Sequence, residues 1–177
     1  MPSRRLILGS LFAALCVTAC SLTPQNARVR RGKFSLFVKT PQEQRNEQGR
    51  YELSEFAGTT QLDLITPLGG VLARVTLTDQ GAVLEYSDKR SEARTAEELM
   101  QRELGFALPL SMLSSWLDGV PDPAVPFGRQ SEDAFEQRGW SISVRRRNAS
   151  GEAQLISAST PMPTGGILRI TLTAEAR

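Results

Sequence analysis

The sequence contains no histidine, so its cysteine and carboxylate side chains are the first groups to consider for chemistry. Without histidine, Ser-His-Asp and Cys-His catalysis and histidine metal sites are excluded. The two cysteines, Cys16 and Cys20, are too few for a zinc or iron–sulfur cluster. The adjacent carboxylates Glu97–Glu98 and Glu132–Asp133 suit a helix start and a solvated loop better than acid–base catalysis. These residues therefore favour neither an enzyme active site nor a metal site.

Cys20 closes a stretch that is typical of a secretory signal peptide. Arg4 and Arg5 precede LILGSLFAALCV (residues 6–17), which is apolar apart from one serine. This stretch is too short to cross a bilayer as a helix but suits the apolar part of a signal peptide. Because these two arginines belong to the removed segment, the remaining chain has balanced charges, which argues against nucleic-acid binding.

The end of this stretch, Val17-Thr18-Ala19-Cys20, resembles the bacterial lipobox, in which the cysteine is lipidated and becomes the first mature residue. Several acyl chains on one cysteine would make a durable membrane anchor. We predict a signal peptide over residues 1–19, a lipidated Cys20 and a tether over residues 20–32. Serine rather than aspartate follows the cysteine, which by the same resemblance points to the outer membrane. The alternative is an ordinary signal peptide cleaved after Ala19.

From residue 33 onward, apolar and polar residues alternate with the period of a strand. About ten short strands separated by tight turns predict antiparallel pairing in a mainly β (α+β) fold. Residues 41–49 and 119–128 are expected to be loops. Such a sheet twists and curls, so we expect one domain over residues 33–177 that forms an incomplete β-barrel of about ten or eleven strands.

Two short helices are predicted after the sixth strand. Thr95-Ala96-Glu97-Glu98 fits a capping box, and Gly105 would end the first helix. Leu110, Leu113 and Trp116 have the spacing of one face of the second helix. Two helices are too few to cover both faces of the sheet, so we expect them to form a lid over its mouth or its concave side.

After the lipobox, the chain carries a series of landmarks in a fixed order: GKFSL (32–36), TPLG (66–69), AEEL (96–99), WLDGVP (116–121) and Gly139-Trp140. Their order and spacing resemble the LolB family of outer-membrane lipoprotein receptors. The resemblance covers residues 16 to about 173, and its most specific part is Leu104 to Pro121. The chain departs from the family at its end, because a tryptophan that usually follows the last strand is missing, which leaves the register of that strand open.

The resemblance implies an incomplete barrel with a helical lid over a hydrophobic cavity, and no cofactor. It implies a monomer that takes acylated lipoproteins from the periplasmic carrier LolA and delivers them into the inner leaflet of the outer membrane. Two alternatives carry the same anchor. One is a lipid-anchored structural or assembly lipoprotein of an outer-membrane complex without a lipid cavity. The other is a lipid-modifying hydrolase, which the absence of histidine disfavours.

The inward rows of the predicted strands and helices offer an apolar surface for acyl chains. The competing interpretation is that these residues only pack against each other as a closed core. The candidate cavity residues are Phe34, Leu36, Leu62, Leu64, Val71, Val75, Leu84, Tyr86, Leu99, Met100, Leu113, Trp116, Ile142, Val144, Leu168 and Ile170.

Leu68 is the sharpest single candidate for membrane contact. Pro67 fixes the backbone for a turn and Gly69 follows, so the hairpin tip leaves Leu68 without strand neighbours. Pro67, Leu68 and Gly69 align with the exposed apolar loop of the family, and Leu68 would insert into lipid. The alternative is that Leu68 folds back under the turn and plugs the barrel.

Two clusters of arginine leave two interpretations open. They are Arg145-Arg146-Arg147 and the group Arg28, Arg30 and Arg31 near the tether. Both could be ordinary solvated charges. Both could also contact an acidic rim of the carrier or anionic lipid headgroups.

Overall fold

A computed structural model describes residues 27–163 and 165–175, and these ranges contain eleven strands and two helices. The strands are β1 (Arg28–Lys39), β2 (Gln44–Phe56), β3 (Thr59–Ile65), β4 (Val71–Thr78), β5 (Gly81–Tyr86), β6 (Lys89–Ala93), β7 (Phe127–Ser131), β8 (Ala134–Gln137), β9 (Trp140–Arg147), β10 (Ala153–Pro161) and β11 (Ile167–Ala174). The helices are α1 (Ala96–Leu104) and α2 (Leu110–Leu117).

The strands form one antiparallel sheet that curls without closing into a barrel. Their order is β6-β5-β4-β3-β2-β1-β11-β10-β9-β8-β7, so β6 and β7 are the free edges. Both helices lie between these two strands in the chain and pack against the sheet. The predicted incomplete barrel with helices after the sixth strand is confirmed. The last strand pairs with both β1 and β10, and its Leu172 lies opposite Phe34.

Three strand boundaries differ from the sequence prediction. Strand β1 begins at Arg28, five residues before the expected start, and β2 begins at Gln44 inside the expected loop. Strand β7 begins at Phe127, where the expected loop had not yet ended. At the start of β2 and of β7 most side chains are exposed, and in the early part of β1 the inward positions carry Arg30 and Gly32, so no apolar period is present. Backbone pairing between strands does not need that period, which is why the pattern missed them.

Two glycines let aromatic rings lie flat on the paired strands β1 and β2. Gly32 lies opposite Tyr51, and Gly49 lies opposite Phe34. A Cβ atom on Gly32 would come within 2.8 Å of Tyr51 Cε1, and one on Gly49 within 2.9 Å of Phe34 Cε1. Because no side chain competes for that space, both rings can turn toward the concave face of the sheet.

The helix ends follow from local chemistry. Thr95 Oγ1 accepts a hydrogen bond from the Glu98 N–H at 3.2 Å, which caps α1 as the sequence predicts. Gly105 ends α1 with a φ of +82°, a conformation that glycine adopts without strain. Helix α2 begins after Pro109, whose side chain makes no capping hydrogen bond. The N-terminal end of α2 is therefore held by packing rather than by a polar cap.

We expect Gly32→Ala to destabilise the sheet, because the added Cβ would clash with the Thr173 carbonyl oxygen and lie against the Tyr51 ring. The free energy of unfolding should fall by about 1–3 kcal/mol, measured by urea unfolding with tryptophan fluorescence. Gly128→Ala is the matched control, because a Cβ there has open space, and it should change stability by less than about 0.5 kcal/mol. Equal midpoints for the two variants would show that β1 can move away from β11.

Candidate functional site

An apolar pocket lies between the concave face of the sheet and the helices. Its volume is about 50 Å³. Apart from the Tyr51 hydroxyl, every side chain that lines the pocket is apolar. Its lining residues are Phe34, Leu36, Tyr51, Leu62, Leu64, Met100, Phe106, Leu108, Leu113, Trp116, Ile156, Ala158, Ile170 and Leu172.

The structure brings about half of the predicted cavity residues to this pocket. Those that line it are Phe34, Leu36, Leu62, Leu64, Met100, Leu113, Trp116 and Ile170. Sequence analysis missed Tyr51, Phe106, Leu108, Ile156, Ala158 and Leu172. Strand alternation could have found Ile156, Ala158 and Leu172. No strand or helix period applies to Phe106 and Leu108, because they lie in the connection between α1 and α2.

The second group of predicted cavity residues is buried without lining the pocket. These side chains pack against one another and against the pocket walls as a closed core, which is the alternative that the sequence left open. The group consists of Val75, Leu84, Leu99, Ile142, Val144 and Leu168.

The prediction that Val71 and Tyr86 line the cavity is wrong, because neither residue lines the pocket. Val71 is 55 % exposed and Tyr86 is 42 % exposed. A register shift between Leu64 and Ile65 interrupts the β3–β4 pairing next to Val71. Tyr86 is the last residue of β5, directly before a turn. The residue opposite it on β4 is Ala73, which has a small side chain. Both residues therefore lie at the rim of the sheet.

Leu68 lies at the tip of the β3–β4 hairpin and is 99 % exposed. Two hydrogen bonds to Thr66 hold the turn. The Gly69 N–H donates to the Thr66 carbonyl at 2.9 Å, and the Gly70 N–H donates to Thr66 Oγ1 at 3.2 Å. Gly69 adopts a φ of +91°, which suits glycine. The short turn therefore presents Leu68 to its surroundings and prevents it from folding back under the sheet.

The C-terminal part of α2 is tied to the sheet by the buried amide of Gln137. Its Oε1 accepts hydrogen bonds from Trp116 Nε1 and the Asp122 N–H, both at 3.0 Å. Its Nε2 donates to the carbonyl oxygens of Asp122 and Val125, both at 2.9 Å. All hydrogen-bonding capacity of this buried amide is used, so it fixes both α2 and the proline-rich segment that follows. Sequence analysis did not identify Gln137.

Arg30 provides a second tie between α2 and strand β1. The Arg30 side chain is 8 % exposed, and its Nη1 donates to the Ser114 carbonyl at 3.1 Å. Its Nη2 lies 2.6 Å from Asp118 Oδ1, and Arg28 Nη2 lies 3.0 Å from Asp118 Oδ2. The interpretation of Arg30 as a solvated or carrier-binding charge is therefore wrong, because the helix end covers it.

The carboxyl group of Asp118 is ionised by this arrangement. Its burial alone would raise its pKa, but the hydrogen bond and charge of Arg30, with Arg28 beside it, outweigh burial. The pKa of Asp118 therefore lies below its usual value. The ionised carboxylate lies next to the C-terminal end of α2 and keeps the two arginines there.

The other basic cluster is partly used inside the fold. Arg147 Nε donates to Asp133 Oδ1 at 2.8 Å, and Arg147 Nη1 donates to the Gly151 carbonyl at 3.0 Å. Arg145 and Arg146 are exposed. The two open interpretations of this cluster therefore apply to Arg145 and Arg146 alone.

Cys20 lies outside the residues that the structure describes. Within residues 27–163 and 165–175, no helix is long and apolar enough to cross a membrane. The same ranges contain no group of three or more cysteine or carboxylate side chains arranged to hold a metal ion.

The chain is similar to known outer-membrane lipoproteins. The family model of the outer membrane lipoprotein LolB matches residues 29–173. The Outer-membrane lipoprotein LolB of Cupriavidus metallidurans is 32 % identical over 158 residues, which is 80 % of this chain and 78 % of the relative. That of Cupriavidus pinatubonensis is 34 % identical over 79 % of this chain and 75 % of the relative. That of Bordetella petrii is 30 % identical over 87 % and 86 %, respectively.

The buried phenol of Tyr51 should make stability fall at alkaline pH. Burial raises the pKa of Tyr51 to about 12 from its usual 10.0, with Arg30 opposing and Glu175 adding to the rise. Above pH 10 the unfolded chain loses this proton while the folded chain keeps it. Stability is therefore full below pH 10 and declines as pH rises toward 12. In Tyr51→Phe, urea unfolding should show a decline smaller by up to about 3 kcal/mol. An identical decline in both proteins would contradict this.

Proposed function

This chain belongs to the LolB family of outer-membrane lipoproteins, and we propose that it receives acylated lipoproteins from the periplasmic carrier LolA and inserts them into the inner leaflet of the outer membrane. The observation that carries the proposal is the combination of a wholly apolar pocket under the helices with a fully exposed leucine at a hairpin tip. The first would shelter acyl chains from water, and the second would contact the membrane.

The proposal includes an anchor at Cys20. A signal peptide over residues 1–19 would be removed, and the lipidated Cys20 with its tether over residues 20–32 would hold the domain at the inner leaflet, facing the periplasm. Acyl chains on one residue provide enough buried methylene groups for durable anchoring. The lipobox pattern of Val17 to Cys20 and the similarity to outer-membrane lipoproteins support this part.

The pocket must open before it can hold an acyl chain. Its volume of about 50 Å³ is far below the roughly 300 Å³ at which pockets for small molecules begin. The walls are flexible or branched aliphatic and aromatic side chains rather than backbone, so movement of the lid can enlarge it. The structure therefore corresponds to a closed receptor.

The connection between α1 and α2 is the part of the lid best placed to move. Its Phe106 and Leu108 line the pocket and make only apolar contacts there. By contrast, Gln137 and Arg30 hold the C-terminal part of α2 with hydrogen bonds. Gly105, at the end of α1, has open space around its Cα and a φ that glycine tolerates over a wide range. Movement of this connection would expose the pocket while the rest of α2 stays in place.

Transfer through such a receptor needs no energy source. The pocket has to bind acyl chains more tightly than the carrier does, and the membrane more tightly than the pocket. A difference of about 1.4 kcal/mol at each step gives a tenfold bias. The closed apolar interior stabilises the empty receptor. Opening it would cost part of the binding free energy, so acyl chains would bind the pocket more weakly than they bind the membrane.

A charge on the pocket wall should block acceptance. In Leu64→Glu a carboxylate replaces a half-buried lining side chain, and acyl chains cannot solvate it. We expect at least a tenfold loss, roughly, in lipoprotein accepted from the carrier, measured by co-purification. Leu77→Glu is the matched control, because Leu77 is also half-buried on this sheet but does not line the pocket. If wild type itself binds no lipid, the assembly lipoprotein without a cavity is the better interpretation.

A charge at the hairpin tip should separate acceptance from insertion. Leu68→Glu leaves the pocket unchanged and should accept lipoprotein normally, because Leu68 contacts no core residue. Insertion into liposomes should slow by at least about tenfold, since a carboxylate enters lipid far less readily than leucine. Val120→Glu is the control, because it puts the same charge on an exposed apolar residue that follows α2. Unchanged insertion by Leu68→Glu would exclude the membrane role of the tip.

A further inference from the structure

A second pocket, of about 260 Å³, adjoins the apolar pocket through Tyr51, whose side chain lines both. This second pocket, called here the polar pocket, lies where β1, β2 and β11 meet the end of α2 and the start of β10. Its charged lining residues are Arg30, Arg31, Asp118, Glu152 and Glu175. An acyl chain in the apolar pocket would therefore have a polar chamber within reach of its end.

Arg30 and Tyr51 both line the polar pocket, and three of their buried side-chain atoms have no hydrogen-bond partner among the described residues: Arg30 Nε, Arg30 Nη2 and the Tyr51 hydroxyl. Arg30 Nη2 lies 2.6 Å from Asp118 Oδ1 and is paired with it by charge, which leaves the Arg30 Nε–H and the Tyr51 hydroxyl as donors without an acceptor. Tyr51 is 2 % exposed and Arg30 is 8 % exposed, so both groups have lost most of their contact with bulk water. A buried donor without an acceptor costs free energy, and its presence in a pocket wall indicates an acceptor that is not part of the chain.

The fold builds this pair of donors into place. The Tyr51 ring lies over Gly32, where a Cβ would stand 2.8 Å from Cε1. The other nitrogens of the Arg30 guanidinium are held by the Ser114 carbonyl and by Asp118. Both donors therefore keep one orientation and need not be ordered when a ligand arrives.

The charges around the polar pocket favour a neutral acceptor over an anion. Asp118 already pairs with Arg30, and Glu52 pairs with Arg31 at 2.7 Å. Glu152 and Glu175 add two carboxylates to the wall. A phosphate or a carboxylate would meet as much negative as positive charge there. Burial raises the pKa of Tyr51 to about 12, so the phenol keeps its proton and can donate.

We propose that the polar pocket binds the carbonyl oxygens of the ester groups that join the acyl chains to a lipoprotein, with Tyr51 and the Arg30 Nε–H as donors. This inference rests on the proposed function, because it assumes that acyl chains enter the apolar pocket. An ester carbonyl is a neutral acceptor that stands at one end of both chains of the diacylglyceryl group, which every such lipoprotein carries. Recognition of this group would let the receptor hold any acylated cysteine without reading the attached protein.

A purely structural role for Arg30 and Tyr51 makes a different prediction. Arg30 ties α2 to β1, and the Tyr51 ring shapes the apolar pocket, and neither role needs the phenolic oxygen. Removal of that oxygen alone therefore tests the ligand role. Tyr51→Phe should fold at least as stably as wild type at neutral pH, because it deletes a buried group without a protein partner. Tyr86→Phe makes the same change at the exposed tyrosine.

The test compares two synthetic lipids that differ only in their carbonyl groups. One is a cysteinyl peptide with an S-glyceryl group that carries two hexadecanoyl esters, and the other carries two hexadecyl ethers. The full mature lipoprotein, in a mild nonionic detergent, is titrated with each probe, and bound probe is counted by native mass spectrometry. Wild type, Tyr51→Phe and Tyr86→Phe are compared.

We expect wild type and Tyr86→Phe to bind the ester probe more tightly than the ether probe. Tyr51→Phe should lose about 3- to 10-fold in affinity for the ester probe and bind the ether probe as wild type does. Equal loss for both probes would mean that Tyr51 only shapes the apolar pocket, which overturns the inference. Equal binding of both probes by all three proteins would mean that water satisfies these donors, which overturns the inference but leaves the receptor function intact. If wild type binds neither probe, the receptor function itself fails.

Discussion

The structure depends on keeping water away from the concave face of an antiparallel sheet that curls but does not close. A sheet of this kind presents a continuous row of inward apolar side chains, and most of the core lies on that face. Within residues 27–163 and 165–175, the helices that cover it are α1 and α2, which lie between the two edge strands in the chain. Two short helices are enough to exclude water from this face, but the connection between α1 and α2 is a weak point of the cover.

The connection between α1 and α2 determines whether the interior can open for acyl chains. The end of α2 is fixed by the fully bonded amide of Gln137 and by Arg30, so one part of the cover is firm. The connection that carries Phe106 and Leu108 contacts the same pocket without polar ties. Apolar contacts have no preferred direction, so acyl chains can replace these side chains at little cost in specific interactions. A closed pocket and a receptor for long chains are therefore compatible in one structure.

Polar groups mark the boundaries of this apolar interior. Tyr51 lies on one boundary, because its side chain lines both the apolar pocket and the polar pocket. At the rim of the sheet, a short hydrogen-bonded turn presents Leu68 away from the core, with the exposed Val71 and Tyr86 on the strands that follow. The fold thus has two kinds of apolar surface. One is buried away from water in the interior, and the other consists of the side chains that stay exposed at the rim.

Local sequence patterns determined the elements of this protein. Alternating apolar residues marked most strands, Thr95 and Gly105 marked the ends of α1, and Thr66-Pro67-Leu68-Gly69 marked a turn with an exposed leucine. These features depend on neighbours within a few residues, which the sequence shows directly. The twist of an antiparallel sheet and the small number of helices predicted a curled sheet with a helical lid, which the structure confirms. The resemblance to the LolB family added the hydrophobic cavity.

The tertiary structure alone decided which inward residues line a pocket and which form a closed core. Leu62 and Val75 both read as inward strand residues, but only Leu62 lies at the pocket under the helices. The sequence predicts that Arg30 is a surface charge. In the structure the end of α2 covers it, and its partner Ser114 lies 84 positions further along the chain. Contacts between such distant segments depend on how the sheet curls and where the helices cross it. A period of two along one strand carries no information about that.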